Sequence, residues 1–313
     1  MRRLVVAALA LPLLGCSGPD PDPPSGPDTV SASPTAKGCV PDQDAMVAQL
    51  ERLESARNAR VGVYAVDTGT GAELAHRADE RFAFASTVKA QAAAVALDRL
   101  SEQQLSRRLR WTEADLVPYS PVTELRVAEG LTVRQVLEAA VTVSDNTAAN
   151  LVLDLVGGPR GLDRALEAVG DDTTEVVRRE PGLNDYSPGD VRDTTTPRAL
   201  ATSLAAFAVG GGLGTSDERL LNDLLVRNTT GDDLVRAVVP NGWRVGDKTG
   251  AATHGTRNDV AVVTPPGRAP IVLAVMTRHD APDAPTDDVL VARAARVVLD
   301  SLCGQRQRVP RSR

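Results

Sequence analysis

The spacing of apolar positions lays out most of the chain. Over Asp42–Arg57, Met46, Leu50 and Leu53 fall on one helical face, the mark of an amphipathic helix. Val61–Val66 reads as a strand, Asp67-Thr68-Gly69-Thr70-Gly71 as a turn, and Glu73–His76 as a second strand. From Ser86 the pattern turns helical, and Ala90–Leu97 is apolar nearly all round, which predicts a buried helix. Further helices fit Val133–Val143, Asn146–Val156, Leu162–Val169, Pro197–Val209 and Asp217–Asn228, with Pro197 suited to a first helical turn. Strand character returns at Trp243–Lys248, Asp259–Thr264 and Ile271–Thr277, and a helix over Asp287–Leu302 closes the sequence. This order predicts an α/β protein of two lobes. Both ends of the chain would build one sheet, with a helical lobe inserted between them. No internal repeat is visible.

Composition narrows the function classes. The 313 residues are 42% hydrophobic and 24% charged, enough for one large domain or two modest ones. No apolar run reaches the roughly 18–20 residues of a membrane span, which excludes an integral membrane protein. Lys and Arg total 35 against 41 Asp and Glu, a net charge of −6, so there is no basic footprint for nucleic acid. Three Cys and three His, all dispersed, argue against zinc or an iron–sulfur cluster, and no cofactor is expected. A monomer is expected.

The N-terminus reads as an export signal. Arg2 and Arg3 precede an apolar stretch over Leu4–Leu14, and Leu13-Leu14-Gly15-Cys16 resembles a lipobox that would leave a lipidated Cys16 after cleavage of residues 1–15. An ordinary secretory signal is the alternative. Residues 16–39 carry Pro19, Pro21, Pro23, Pro24, Pro27 and Pro34 among small polar residues, the composition of a disordered, fairly extended tether. The domain, residues 40–303, would then sit lipid-anchored at the outer face of the cell membrane, or be secreted or periplasmic. Within it, the α/β lobe takes about 40–76 and 230–303, and the all-α lobe about 77–229. Residues 304–313, with four Arg, read as a frayed tail. Cys39 and Cys303 bracket the domain, and an oxidising compartment favours their pairing over two free thiols.

The chemistry enters at Ser86-Thr87-Val88-Lys89. A serine hydroxyl needs an adjacent base to act as a nucleophile, and a desolvated lysine one helical turn away can lose its proton and serve. If Ser86 opens the buried helix, backbone N–H groups there can hold an oxyanion. Alone the pattern fits better an N-cap followed by a solvated lysine. Ser144-Asp145-Asn146 and Lys248-Thr249-Gly250 follow in order, and S-x-x-K, S-D-N and K-T-G together are the known signature of the serine penicillin-recognising enzymes. Ser144 can relay a proton between Lys89 or Lys248 and a leaving nitrogen. Lys248 offers charge, and Thr249 a hydroxyl, to a substrate carboxylate. Gly250 would let a substrate backbone lie against the strand edge.

Arg178-Arg179-Glu180-Pro181-Gly182-Leu183-Asn184 separates relatives. With Tyr119-Ser120-Pro121-Val122-Thr123 and Gly255-Thr256-Arg257, the stretch over about 40–303 resembles a class A serine β-lactamase, whose E-P-x-L-N segment lies in an omega loop. The resemblance implies a five-stranded antiparallel sheet flanked by helices plus an all-α lobe, and hydrolysis of β-lactam small molecules. It implies an acyl-enzyme on Ser86 that Glu180, sharing a water with Asn184, releases. It leaves open whether Lys89 or Glu180 deprotonates Ser86. The oxyanion hole would use the N–H groups of Ser86 and Ala251. Arg257 would join Lys248 and Thr249 at the carboxylate, Asn146 would bond the substrate's acyl amide and Lys89, and Tyr119 would form an aromatic wall. Arg178 and Asp193 would pair across the loop's neck. Ala85 and Ala252 occupy positions where carbapenem-hydrolysing relatives often place a disulfide, so that bridge is impossible here. Two other functions share parts of the pattern: a D-alanyl-D-alanine peptidase, and a lipid-anchored receptor that binds β-lactams or wall fragments without turnover.

Overall fold

The structure, a computed structural model, describes residues 41–303. The export signal, Cys16, the tether, Cys39 (and with it the expected bridge to Cys303) and the tail 304–313 lie outside those residues.

The chain opens with α1 (Gln43–Arg57), capped by the Asp42 side chain and ended by Asn58 in the left-handed region. A hairpin follows, β1 (Ala59–Asp67) and β2 (Glu73–His76). A short strand, β3 (Phe82–Ala83), leads into a 3₁₀ turn over Ala85–Thr87 and then α2 (Val88–Arg99). The helical middle contains α3 (Glu102–Leu105), a small ladder of β4 (Arg108–Leu109) with β5 (Leu131–Thr132), α4 (Val133–Thr142), α5 (Asn146–Leu155) and α6 (Pro159–Ala168). After the loop that carries Glu180 come β6 (Thr194–Thr195), paired with β3, then α7 (Pro197–Ala208) and α8 (Thr215–Val226). Three long strands and a helix complete the chain: β7 (Arg244–Ala252), β8 (Thr256–Thr264), β9 (Ile271–His279) and α9 (Asp288–Cys303).

The five main strands form one antiparallel sheet in the order β2-β1-β9-β8-β7, so both ends of the sequence meet in it. Its two faces feed two separate cores. Val61, Val63, Ala65, Ala261, Val263, Leu273 and Val275 pack against α1 and α9. Tyr64, Val260, Val262, Val272, Ala274 and Met276 face α7 and the helical middle. Burial on both faces explains why these strands read as near-continuous apolar runs rather than alternating ones. Gly62 shows how tightly α7 is laid on the sheet: a Cβ there would meet the Phe82 ring at 2.5 Å and Pro197 at 2.8 Å.

Helix α2 threads the helical core. Ten consecutive residues, Val88–Leu97, are buried, as the all-round apolar pattern predicted, and the alanines let α4, α5, α7 and α8 approach closely. Two sequence expectations shift. Ser86 does not open this helix but sits in the 3₁₀ turn before it, because Ala85 takes a left-handed conformation (φ +49°) that delays the α-helical bonding to Val88. Strand β7 runs on to Ala252, so Lys248-Thr249-Gly250 lies inside a strand rather than at its end.

Candidate active site

Three side chains meet at one carboxylate. The 3₁₀ turn presents Ser86, whose Oγ donates to Glu180 Oε1 at 3.2 Å. One helical turn on, Lys89 Nζ lies 3.0 Å from the same oxygen and donates to Asn146 Oδ1 at 2.6 Å and to Ser144 O at 2.8 Å. Asn184 Nδ2 donates to Glu180 Oε2 at 2.6 Å. Lys89 and Glu180 are both buried, and an uncompensated charge there would be severely penalised. Three acceptors around one ammonium are what make the buried lysine tolerable. Desolvation holds the Lys89 pKa below its usual range, while the Glu180 and Asp145 carboxylates oppose the shift.

Ser144 bridges the two lysines. It stands in the left-handed region (φ +59°) just before α5, with its Oγ 3.3 Å from Lys89 Nζ and 3.1 Å from Lys248 Nζ. Asp145 fixes this geometry twice over. Its carboxylate caps α5 at Ala148 N–H and accepts from the N–H groups of Val122 and Thr123, tying the Tyr119 loop to the helix. Lys248, on β7, is fully buried and also donates to Thr249 O at 2.9 Å. Desolvation and the positive charge of Lys89 hold its pKa down to about 7, against the pull of the Asp247, Asp259 and Glu180 carboxylates. The Thr249 hydroxyl lies 2.5 Å from that of Thr230, and Arg257 reaches Thr230 O at 3.4 Å. The Arg257 Nε is committed to Asp288 Oδ1 at 2.6 Å, so this guanidinium is held between Asp288 and Thr230. Tyr119 is 61% exposed at the rim, and Asn146 Nδ2 is occupied by Pro118 O at 2.9 Å.

Gly250 has a packing reason that its sequence context did not suggest. A Cβ there would fall 2.9 Å from Phe84 O, 3.0 Å from the Ala85 methyl and 3.1 Å from Ser86 N. The missing side chain lets β7 lie directly against the Ala85–Thr87 turn.

The loop that brings Glu180 is pinned at its neck, centre and far end. At the neck, Asp193 receives Arg178 Nε and, at 2.9 Å each, the N–H groups of Val177 and Arg178, so the expected pair is present. At the centre, Asn150 clamps the Glu180 backbone: Nδ2 donates to Glu180 O at 2.9 Å and Oδ1 accepts Glu180 N–H at 3.0 Å. At the far end, Thr253 N–H donates to Asn184 O at 3.3 Å, and the Thr253 hydroxyl accepts Tyr186 N–H at 3.0 Å. Sequence reasoning missed Asn150 and Thr253. The first carried a usable signal, since Asn146 and Asn150 are one helical turn apart on α5 and must share a face.

Known proteins are similar to this chain in sequence and fold. The sequence model of the β-lactamase enzyme family matches residues 45–302. A β-lactamase of Amycolatopsis lactamdurans is 54% identical over 263 residues, covering 84% of this chain and 87% of that protein. A β-lactamase of Bacillus amyloliquefaciens is 49% identical over 251 residues, covering 80% of this chain and 82% of its own length. The crystal structure of a class A β-lactamase from Clostridium kluyveri superposes with a TM-score of 0.81 at 43% identity, covering 82% of this chain and 98% of that one. With the family matched across nearly the whole described domain, its fold shared and the Ser86–Lys89 and Glu180–Asn184 motifs joined at one carboxylate, this chain belongs to the β-lactamase enzyme family, among the class A enzymes.

Proposed function

We propose that this β-lactamase opens the ring of penicillins and cephalosporins through an acyl-enzyme on Ser86, which water activated by Glu180 then releases. One observation carries the reading: a single buried carboxylate receives Ser86 Oγ and Lys89 Nζ on one oxygen and Asn184 on the other. In acylation, Ser86 Oγ attacks the ring carbonyl carbon and its proton passes to Glu180, directly or through a water. The carbonyl oxygen turns toward the N–H groups of Ser86 and Ala251. The ring C–N bond breaks, and the nitrogen takes a proton from Ser144 Oγ, which Lys89 replaces while regaining one from Glu180, so that Glu180 is a carboxylate again before deacylation. In deacylation, a water held by Glu180 and Asn184 gives up its proton to Glu180 and attacks the ester, and Ser86 leaves with a proton restored. Lys248, Thr249 and Arg257 receive the substrate carboxylate, Asn146 the acyl amide, and Tyr119 lines the rim. Gly250 serves by admitting the nucleophile turn. A lowered Lys89 pKa supports Lys89 as the alternative base for acylation.

We also read the lipobox at Cys16 as anchoring the exported enzyme to the outer face of the membrane. The carboxylate supplied by Glu180 is what favours turnover over a receptor that merely retains its ligand. The test is Glu180→Gln with a chromogenic cephalosporin, followed by mass spectrometry. Turnover is expected to fall by about 10²–10⁴ while a covalent adduct accumulates on Ser86. Undiminished turnover overturns the reading. A persistent adduct on the native protein favours the receptor, and release of D-alanine from a peptide without β-lactam turnover favours the peptidase. A fast acylation phase surviving in Glu180→Gln assigns the acylation base to Lys89.

A further inference from the structure

Asn258 is a fully buried amide on β8, on a strand whose continuation, Val260–Val263, is apolar. An unbonded amide at such a position costs roughly 1–3 kcal/mol, so its bonds carry meaning. Its Oδ1 accepts Thr277 N–H at 3.2 Å, which fixes the amide's orientation. Its Nδ2 therefore points at two backbone carbonyls, Ala83 O at 2.7 Å and Phe84 O at 3.4 Å. Neither residue belongs to the sheet. They are the last two before Ala85 and Ser86.

The same short stretch is held from its other sides. Phe84 N–H donates to Asp193 O at 3.2 Å, at the neck of the Glu180 loop, and the Thr87 hydroxyl donates to Phe84 O at 2.6 Å. Asn258 faces Gly250 across the β7–β8 ladder, at the spot where β7 closes on Phe84–Ser86. Ala85 must meanwhile hold a left-handed φ of +49°, a conformation that an alanine abandons unless its surroundings impose it. The direction of Ser86 N–H depends on that dihedral, whereas Ala251 N–H rides on β7.

We propose that Asn258 is a positioning residue for both acyl-transfer steps: by pinning the Ala83–Phe84 carbonyls to β8 it sets Ser86 N–H against Ala251 N–H as a working oxyanion hole. The inference rests on the acyl-enzyme reading above. It predicts a signature that a purely structural amide lacks. Acylation and deacylation both pass through an oxyanion, so both slow by the same factor, while the non-covalent complex, which needs no oxyanion, is spared.

The experiment uses the mature enzyme and Asn258→Ala, well below the variant's melting temperature. Stopped-flow measurements with a chromogenic cephalosporin give the acylation constant, the deacylation constant and the initial dissociation constant. A boronic acid that forms a tetrahedral adduct on serine probes the hole directly. Both rate constants and the boronic acid affinity are expected to fall together by about 10–100-fold, with the initial dissociation constant changed less than about threefold. Unchanged rate constants beside a lowered melting temperature overturn the proposal, as does a fall confined to deacylation, which would place the effect on Glu180 instead. If Asn258→Ala does not fold, Asn258→Ser serves: its hydroxyl falls about an ångström short of the Asn258 Nδ2 position while keeping a polar group near Thr277. The wild-type arm separates the two claims. A native enzyme that forms no transient Ser86 adduct defeats the acyl-enzyme reading and this inference with it.

Discussion

Shortening Asn150 tests how Glu180, the proposed general base, is held in place. Asn150→Ala removes both bonds to the Glu180 backbone, at 2.9 and 3.0 Å, and leaves the Glu180 side chain untouched. Each such bond is worth about 0.5–1.5 kcal/mol net, and the site is only part-buried, so water can replace some of the loss; about 2 kcal/mol is expected in all. Where that energy appears depends on the other attachments. If the whole domain shared it, the melting temperature would fall by about 4–8 °C. The loop's ends, however, remain fastened by Asp193 at the neck and Thr253 beyond Asn184. Only the middle is released, so the loss should appear as a shift of Glu180 away from its working position. A shift of about 2 kcal/mol is roughly thirtyfold in rate. Deacylation is therefore expected to slow about thirtyfold while the melting temperature drops by less than about 4 °C. Single-turnover kinetics with acid-quenched mass spectrometry would read the adduct, and thermal denaturation the stability. Unaltered deacylation accompanied by the full thermal loss would refute the reasoning and leave the clamp a stabilising contact alone.

The pH dependence follows from Lys248, whose pKa is held down to about 7 by burial and by Lys89. Its charged form, the one a substrate carboxylate needs, prevails below that pH, so kcat/KM for an anionic β-lactam should fall up to about tenfold per pH unit above it. An esterified substrate should lack that fall, and a profile for the anionic substrate that stays flat to about pH 9 would dismiss the assignment. At the chain ends, Asp42 N–H reaches Ser301 O at 3.4 Å, close in sequence to Cys39 and Cys303. If the protein is exported as proposed, it is expected to carry that disulfide, gaining two hydrogen atoms in intact mass on reduction and losing about 2–4 kcal/mol of stability. Two alkylatable thiols before reduction would contradict it.

Much of the sheet was legible because both of its faces are buried. Ile271–Thr277 reads as a strand from its apolar run alone, and it is one. Strand β7 was cut short at Lys248 because Thr249-Gly250-Ala251-Ala252 has no bulky apolar residue to announce it, and yet its ladder with β8 continues to Ala252. Helix α6 starts at Pro159 rather than Leu162, since a proline in the first turn needs no hydrogen bond of its own and leaves no periodic mark. Ala85 carried no sign of its left-handed backbone either. Neighbouring contacts impose that conformation on it, and a single alanine advertises no such strain.

The residues proposed to react and the residues that aim them differ in how they can be found. Ser86, Lys89, Glu180 and Lys248 are chemically distinctive, and their spacing betrays them before any coordinates exist. Asn150, Asp145 and Asn258 act on backbone N–H and C=O groups, which every residue has, so no partner residue type reveals them, whereas Asp193 also takes Arg178 and is foreseen through that charge pair. Asn and Asp are also ordinary at helix caps, where Asp145 would pass as a cap alone. Asn258 was hidden for a further reason. The sequence pattern starts this strand at Asp259, and only the earlier start of β8 at Thr256 puts the amide inside a strand that continues as Val-Ala-Val-Val. A buried polar residue that breaks a strand's pattern must find its partners across the fold. In this protein those partners are the two carbonyls that lead into the nucleophile turn.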